Sequence, residues 1–157
     1  MSGSRELEND PASGCFGCGP ANASGLRLAF VEDGGAVRCE HVVGAGQTGW
    51  PGRFHGGLLF TMLLETAYWT VIGAADRIGA AGAMSFDLRS LPRVGEHIEA
   101  TGRVLSSSAA GWEVEAVACG AGGRALATLR SPWRPVTAEE AERLGFTPSM
   151  RDHVPPG

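Results

Sequence analysis

The sequence predicts an α+β fold in which an antiparallel sheet of about five to six strands wraps around one long central helix. Three observations carry this prediction. Leu58–Ala75 holds a single charge, Glu65, over about five helical turns. Strand-like alternation of apolar and polar residues lies on both sides of it. A helix with so little polar surface must be covered on nearly all sides, which a curved sheet does in part and a second copy of the chain can complete.

In chain order, residues 1–13 are polar and read as a flexible N-terminal tail. Cys15-Phe16-Gly17-Cys18-Gly19-Pro20 reads as a knuckle-like turn. Leu26, Leu28 and Phe30 alternate with Arg27 and Ala29 in a first strand, and Asp33-Gly34-Gly35 turns the chain into a second, Ala36–Val43. Gly44–Gly52 is loop, and the helix occupies about 57–75. Strands follow at Ala83–Leu91, His97–Ser106, Trp112–Cys119 and Arg124–Trp133. Thr137-x-x-Glu140 is a capping box that starts a short helix ending at Gly145, with a loose Pro-rich tail beyond Phe146. The domain therefore spans 14–134, with the short helix and tail at 135–157.

At 157 residues, 43% hydrophobic and 19% charged, the composition is that of one ordinary globular domain. A net charge of -4 provides no basic field for nucleic acid. Every basic side chain except histidine is Arg, which with the abundant Gly and Ala suggests a high-GC bacterial coding sequence. The segment MSGSRELENDPASG has no apolar h-region, so a cytoplasmic protein is expected. Glu65 and the absence of a Lys/Arg asymmetry at its flanks argue that Leu58–Ala75 is a buried core helix, not a membrane span.

Gly44-Ala45-Gly46-Gln47-Thr48-Gly49 matches a dinucleotide-binding pattern, but Pro51 and Gly52 prevent a helix from opening there. Cys15-x-x-Cys18 is half a metal site, yet Cys39 and Cys119 sit singly in strands, so no metal and no cofactor are expected. No helix starts at Cys15 to activate a redox thiol. The four histidines have no metal-ligand spacing.

The residues that remain point to one place. His55-Gly56-Gly57 opens the helix, where unpaired N–H groups and the helix dipole suit a developing oxyanion, and consecutive glycines let a ligand reach that backbone. Glu65 lies about two turns further in, where an unpaired carboxylate is costly; it serves chemistry, a salt bridge or a wet subunit interface.

The stretch Cys15-Phe16-x-Cys18-Gly19-x-x-Asn22-x-x-Gly25-Leu26, then His55-Gly56-Gly57, then Pro92-x-x-Gly95-Glu96, resembles the hotdog-fold thioesterases, specifically their PaaI-like branch, over about residues 15–133. The resemblance implies thioester chemistry at a dimer interface, with a backbone N–H of Gly57 or Gly56 polarising the carbonyl, an acid on the helix as base or nucleophile, and a polar loop residue holding water. The family acid falls on Leu64 here, with Glu65 next to it, one residue or about 100° of rotation away. The polar loop position falls on Gly49, and Gln47 is the nearest amide. The roles expected here are therefore Gly57 with Gly56 as oxyanion donor, Glu65 as base and His55 orienting the turn, while Ser85, on the strand after the helix, is placed to position water.

Trp50, Tyr68 and Trp69 suit core packing or the wall of an acyl tunnel. Arg89 and Arg93 are either solvated or contacts for a CoA phosphate. The expected function is hydrolysis of acyl-CoA or acyl-carrier-protein thioesters by a homodimer, or by a tetramer into which the dimer associates, with no nucleic-acid or membrane partner. The alternative, favoured by Leu64 and Gly49, is a binding protein or a non-hydrolytic enzyme, such as a dehydratase, acting on a thioester or natural-product intermediate.

Overall fold

The computed structural model describes residues 3–156. Its strands are β1 (Arg5–Leu7), β2 (Phe30–Asp33), β3 (Ala36–Val42), β4 (Gly79–Ala81), β5 (Ser85–Leu88), β6 (His97–Ser108), β7 (Gly111–Cys119) and β8 (Ala125–Pro135). The helices are α1 (Gly56–Ala75), α2 (Ala138–Arg143) and α3 (Pro148–Arg151). All pairings are antiparallel and form one sheet in the order β1-β2-β3-β6-β7-β8, with β4 and β5 following each other along the outer edge of β8. The sheet curls around α1, the hotdog arrangement.

The strand count of eight exceeds the expected five to six because β1 and β4, three residues each, carry too little alternation to stand out in the sequence. β1 lies within the segment expected to be a flexible tail. It is held by backbone pairing to β2, by Arg5 against Glu32 at 4.0 Å, and by Leu7 packed on the core. The first expected strand, Leu26–Phe30, is also corrected. Leu26, Leu28 and Phe30 are all buried, as alternation demands, but Arg27 adopts φ 49 and breaks the extended backbone. Leu26 and Leu28 donate instead to Phe16 and Gly17 carbonyls, tying this segment to the cysteine turn.

The tail is a second correction. Beyond the capping box of Thr137 and Glu140, which starts α2, the chain does not hang loose. Phe146, Met150 and Val154 pack on the core, the Ile78 N–H donates to the His153 carbonyl, and His153 Nδ1 lies 2.7 Å from Asp76 Oδ1. The tail is thereby tied to the C-terminal end of α1.

α1 is long and apolar enough to cross a membrane, yet here it is the core helix of the curled sheet. Leu59, Met62, Leu63, Ala67, Trp69, Val71 and Ile72 are buried, each large side chain contributing about 1.5–3 kcal/mol. Thr66 and Thr70 are buried too, and their hydroxyls donate to the Met62 and Thr66 carbonyls at 2.7 Å, so neither hydroxyl is stranded. Under them lies Gly102 of β6, where a Cβ would run into Thr70 Oγ1 and the Thr66 methyl. The missing side chain lets helix and sheet approach at mid-length. Gly102→Ala is expected to cost about 1–3 kcal/mol through overpacking, read as a lower urea midpoint at unchanged slope.

Candidate active site

Two places on α1 carry reactive groups. The first is its N-terminus. His55 is the N-cap, and its Nδ1 accepts from the Gly57 N–H at 2.9 Å, which places the imidazole proton on Nε2. The Gly57 N–H, expected as an oxyanion donor, is therefore occupied by His55. The Gly56 N–H has no partner among the described residues and points out of the first turn.

The preceding loop explains the missing polar group. Gln47 Oε1 accepts from the Gly44 N–H at 2.8 Å and lies 2.7 Å from His41 Nε2, so Nε2 carries the proton and Gln47 is spent on holding the loop. A Cβ on Gly49 would meet His55 Cδ2 at 2.9 Å, so this loop has no room for a side chain there. Nearby, Leu88 and Leu91 are the closest neighbours of Gly56, which sets the 88–93 segment beside the turn. Arg89 pairs with Asp87 at 2.7 Å, while Arg53 reaches the Leu91 carbonyl at 3.2 Å. The Arg93 backbone N–H donates to Glu96, and that bond together with the Arg124 guanidinium holds the Glu96 carboxyl below the usual range. Ser85 is exposed at the start of β5, opposite Arg130, and Trp50 is exposed on the loop. Neither reaches Glu65's surroundings.

The second place is Glu65 itself. The cysteine turn lies flat on it: a Cβ on Gly17 would overlap Glu65 Cγ and Cδ. Cys15 Sγ stands 3.6 Å from Glu65 Oε1, and ligand atoms of Cys15, Cys18 and Glu65 all lie within 4.8 Å of one another. Asn9 Nδ2 donates to the Cys18 carbonyl at 2.8 Å and fixes the turn from the N-terminal side. Burial pushes the Cys18 thiol well above the ordinary thiol range, and the adjoining Glu65 carboxylate raises it further. Burial likewise raises the Tyr68 phenol. Glu65 Oε2 and Trp69 Nε1 are buried without a hydrogen-bond partner, the two such side-chain atoms among the described residues.

Beside this cluster a cavity of about 490 Å³ opens between the N-terminal segment, α1 and the tail, lined by Cys15, Cys18, Glu65, Trp69, Met150 and His153 among others. Of the candidate site and tunnel residues named from the sequence, it unites Glu65, Tyr68 and Trp69. Trp69 is also part of the core, stacked on Phe30 at 5.4 Å. Leu64 is half-buried on the neighbouring stripe of α1. Sequence reasoning missed Cys15 and Cys18 as neighbours of the carboxylate, and the tail as a cavity wall. The closely spaced glycines of the turn were the available sign that something packs against it.

No family model matches the sequence, and no curated protein matches it. The fold does match solved structures. The E. coli PaaI protein from the phenylacetic acid degradation operon superposes with a TM-score of 0.65 at 17% identity, over 71% of this chain and 80% of that one. Zebra fish thioesterase superfamily member 2 gives 0.66 at 20%, over 74% and 90%. A Streptococcus mutans protein bound to acetyl CoA gives 0.64 at 15%, over 69% and 88%. The chain thus has the hotdog fold of thioesterase-superfamily proteins, PaaI among them.

Cys39 of β3 lies 3.4 Å from Thr66 Oγ1, and burial pushes its thiol from the ordinary 9.0 up to about 12. The folded pKa lies above the unfolded one, so this contribution to stability is complete below about pH 9 and is lost as pH rises toward 12. Urea denaturation should show stability falling through that window. Cys39→Ala should make the decline shallower by up to one proton's slope, about 1.4 kcal/mol per pH unit.

Proposed function

We propose that the protein binds acyl thioesters of coenzyme A or of acyl carrier protein and hydrolyses them, working as a homodimer. The observation that carries the reading is Glu65, a carboxylate set into an otherwise apolar core helix, lining a cavity with one oxygen unpartnered. Glu65 takes a proton from water as that water attacks the thioester carbon. The negative charge that forms on the carbonyl oxygen is met by the Gly56 N–H at the positive end of α1. The thiolate leaves and is protonated, giving a carboxylic acid and a free thiol.

The spacing of these groups supports a dimer. Gly56 and Glu65 are nine residues apart on α1, about 13 Å, too far to act on one carbonyl. Nine residues are also half a turn of rotation, so the two groups face opposite sides of one helix, and the reading takes the Gly56 N–H from the partner's α1. The half-buried Leu58, Phe60, Thr61 and Leu64 lie along that stretch of helix. Arg89 and Arg93, close in sequence to Leu88 and Leu91 that border Gly56, are suited to the phosphates of CoA. The acetyl CoA held by the Streptococcus mutans neighbour is a ligand of this class.

Leu64 and Gly49 favour a second reading, a protein that keeps the pocket and binds or otherwise transforms a thioester without hydrolysing it. A panel of acyl-CoAs assayed for released thiol separates the two. Glu65→Gln should lower turnover by roughly 10²-fold or more with little change in substrate affinity. If the panel is bound but not hydrolysed, and Leu64→Asp confers hydrolysis, the second reading holds.

Gly56 permits a cleaner test of the oxyanion donor. A Cβ there makes ordinary contacts, 3.6 Å to Leu88 and 3.8 Å to Leu91, and proline is tolerated at the first position of a helix. Gly56→Pro removes the N–H and should cost about 10²–10³ in turnover, while Gly56→Ala keeps most of it. Equal losses in both variants would remove Gly56 from the mechanism. Sedimentation equilibrium should show a dimer at micromolar concentration.

A further inference from the structure

We propose that Cys15, Cys18 and Glu65 bind one divalent transition-metal ion, zinc by preference, with its remaining coordination position open to the cavity. The proposal rests on the placement of Glu65 and stands whether or not the protein hydrolyses thioesters. The expectation of a metal-free turn came from the lack of a second cysteine pair. The fold supplies the third ligand from elsewhere: a carboxylate fifty residues away, onto which the turn is pressed at Gly17.

The spacing suits the ion. Around a tetrahedral zinc, a sulfur at about 2.3 Å and a carboxylate oxygen at about 2.0–2.2 Å lie about 3.5 Å apart, and Cys15 Sγ to Glu65 Oε1 is 3.6 Å. Two thiolates with one carboxylate form a set that favours zinc over magnesium or calcium. Three protein ligands and an open position are the arrangement of catalytic zinc sites, whereas structural sites are closed by four.

The polar atoms around the cluster are unfinished in a way an ion completes. Of all buried side-chain nitrogens and oxygens among the described residues, Glu65 Oε2 and Trp69 Nε1 alone lack partners, and both belong here. Trp69 is 6% exposed, and its indole N–H lies beside the Cys18 sulfur without completing a hydrogen bond. A metal-bound thiolate is the stronger acceptor that such a donor needs. The Cys15 and Cys18 sulfurs and a Glu65 oxygen stand within 4.8 Å of one another, close enough for one cation to span them. Binding the ion as thiolates releases protons. With one Glu65 oxygen on the ion, the other would accept a hydrogen bond from a water in the open position, the partner that Oε2 lacks.

The test is metal binding by the full chain, prepared reduced and freed of metal, then titrated with cobalt(II) and with zinc. Expected are one ion per chain by elemental analysis, a thiolate-to-cobalt charge-transfer band, and loss of that band on adding zinc. Cys15→Ser and Cys18→Ser should each weaken binding roughly tenfold or more and diminish the band. Glu65→Gln should weaken binding while keeping the band, and Cys119→Ser should change nothing. A wild-type cobalt spectrum without a thiolate band would overturn the proposal. So would an undiminished band in the double cysteine variant, or a Cys15–Cys18 disulfide formed in place of ion binding under reducing conditions. Ion binding is read without turnover: a chain that takes the ion and cleaves no thioester defeats only the thioester reading, and one that cleaves thioesters but takes no ion defeats only this proposal.

Discussion

A helix that is apolar on every side cannot rest on a surface; it has to be enclosed, and the shape of this protein follows from enclosing α1. Strands β3, β6, β7 and β8 take most of the circumference, at a distance set by Gly102 beneath Thr66 and Thr70. The cysteine turn takes the flank at Glu65, and the C-terminal tail closes the end near Ile72 and Ile78. The stripe through Phe60 and Leu64 is covered only in part. Each covering element meets the helix at a different height, so one element presents an anion-seeking terminus and a buried carboxylate in fixed relation.

That fixed relation is also why the usual groups look displaced. His55 caps α1 with its own imidazole and occupies the Gly57 N–H, which leaves Gly56 as the free donor. The ring sits where a side chain at position 49 would have to stand. Gln47 is committed to His41 and Gly44, holding the loop that delivers His55. The absence of an amide or acid at Gly49 is thus a consequence of how this particular turn is built.

Much of the fold was legible in the sequence because it is written in periodicity. The long apolar run gave α1, alternation gave β3, β6, β7 and β8, and Thr137-x-x-Glu140 gave the start of α2. What failed was local and had physical causes. Arg27 in the left-handed region breaks a strand that Leu26, Leu28 and Phe30 otherwise advertise. β1 exists because β2 offers a free edge, a fact of the sheet and not of Arg5–Leu7. The site was half legible: His55, Gly56, Gly57 and Glu65 stand out by type and position. That Cys15 and Cys18 face Glu65 depends on a contact across fifty residues, which no spacing along the chain encodes.

The tail that walls the cavity has a further implication. Met150 and His153 belong to neither the sheet nor α1, and their segment is secured by the Asp76–His153 pair, the Ile78 N–H and a few apolar contacts. Changes in this stretch therefore reshape the chamber beside Glu65 without altering the strands that wrap α1. The volume of that chamber and the wrapping of α1 are thus encoded in separate parts of the chain, and substitutions at Met150 or His153 alter the first while the strand pairings that secure the second remain in place.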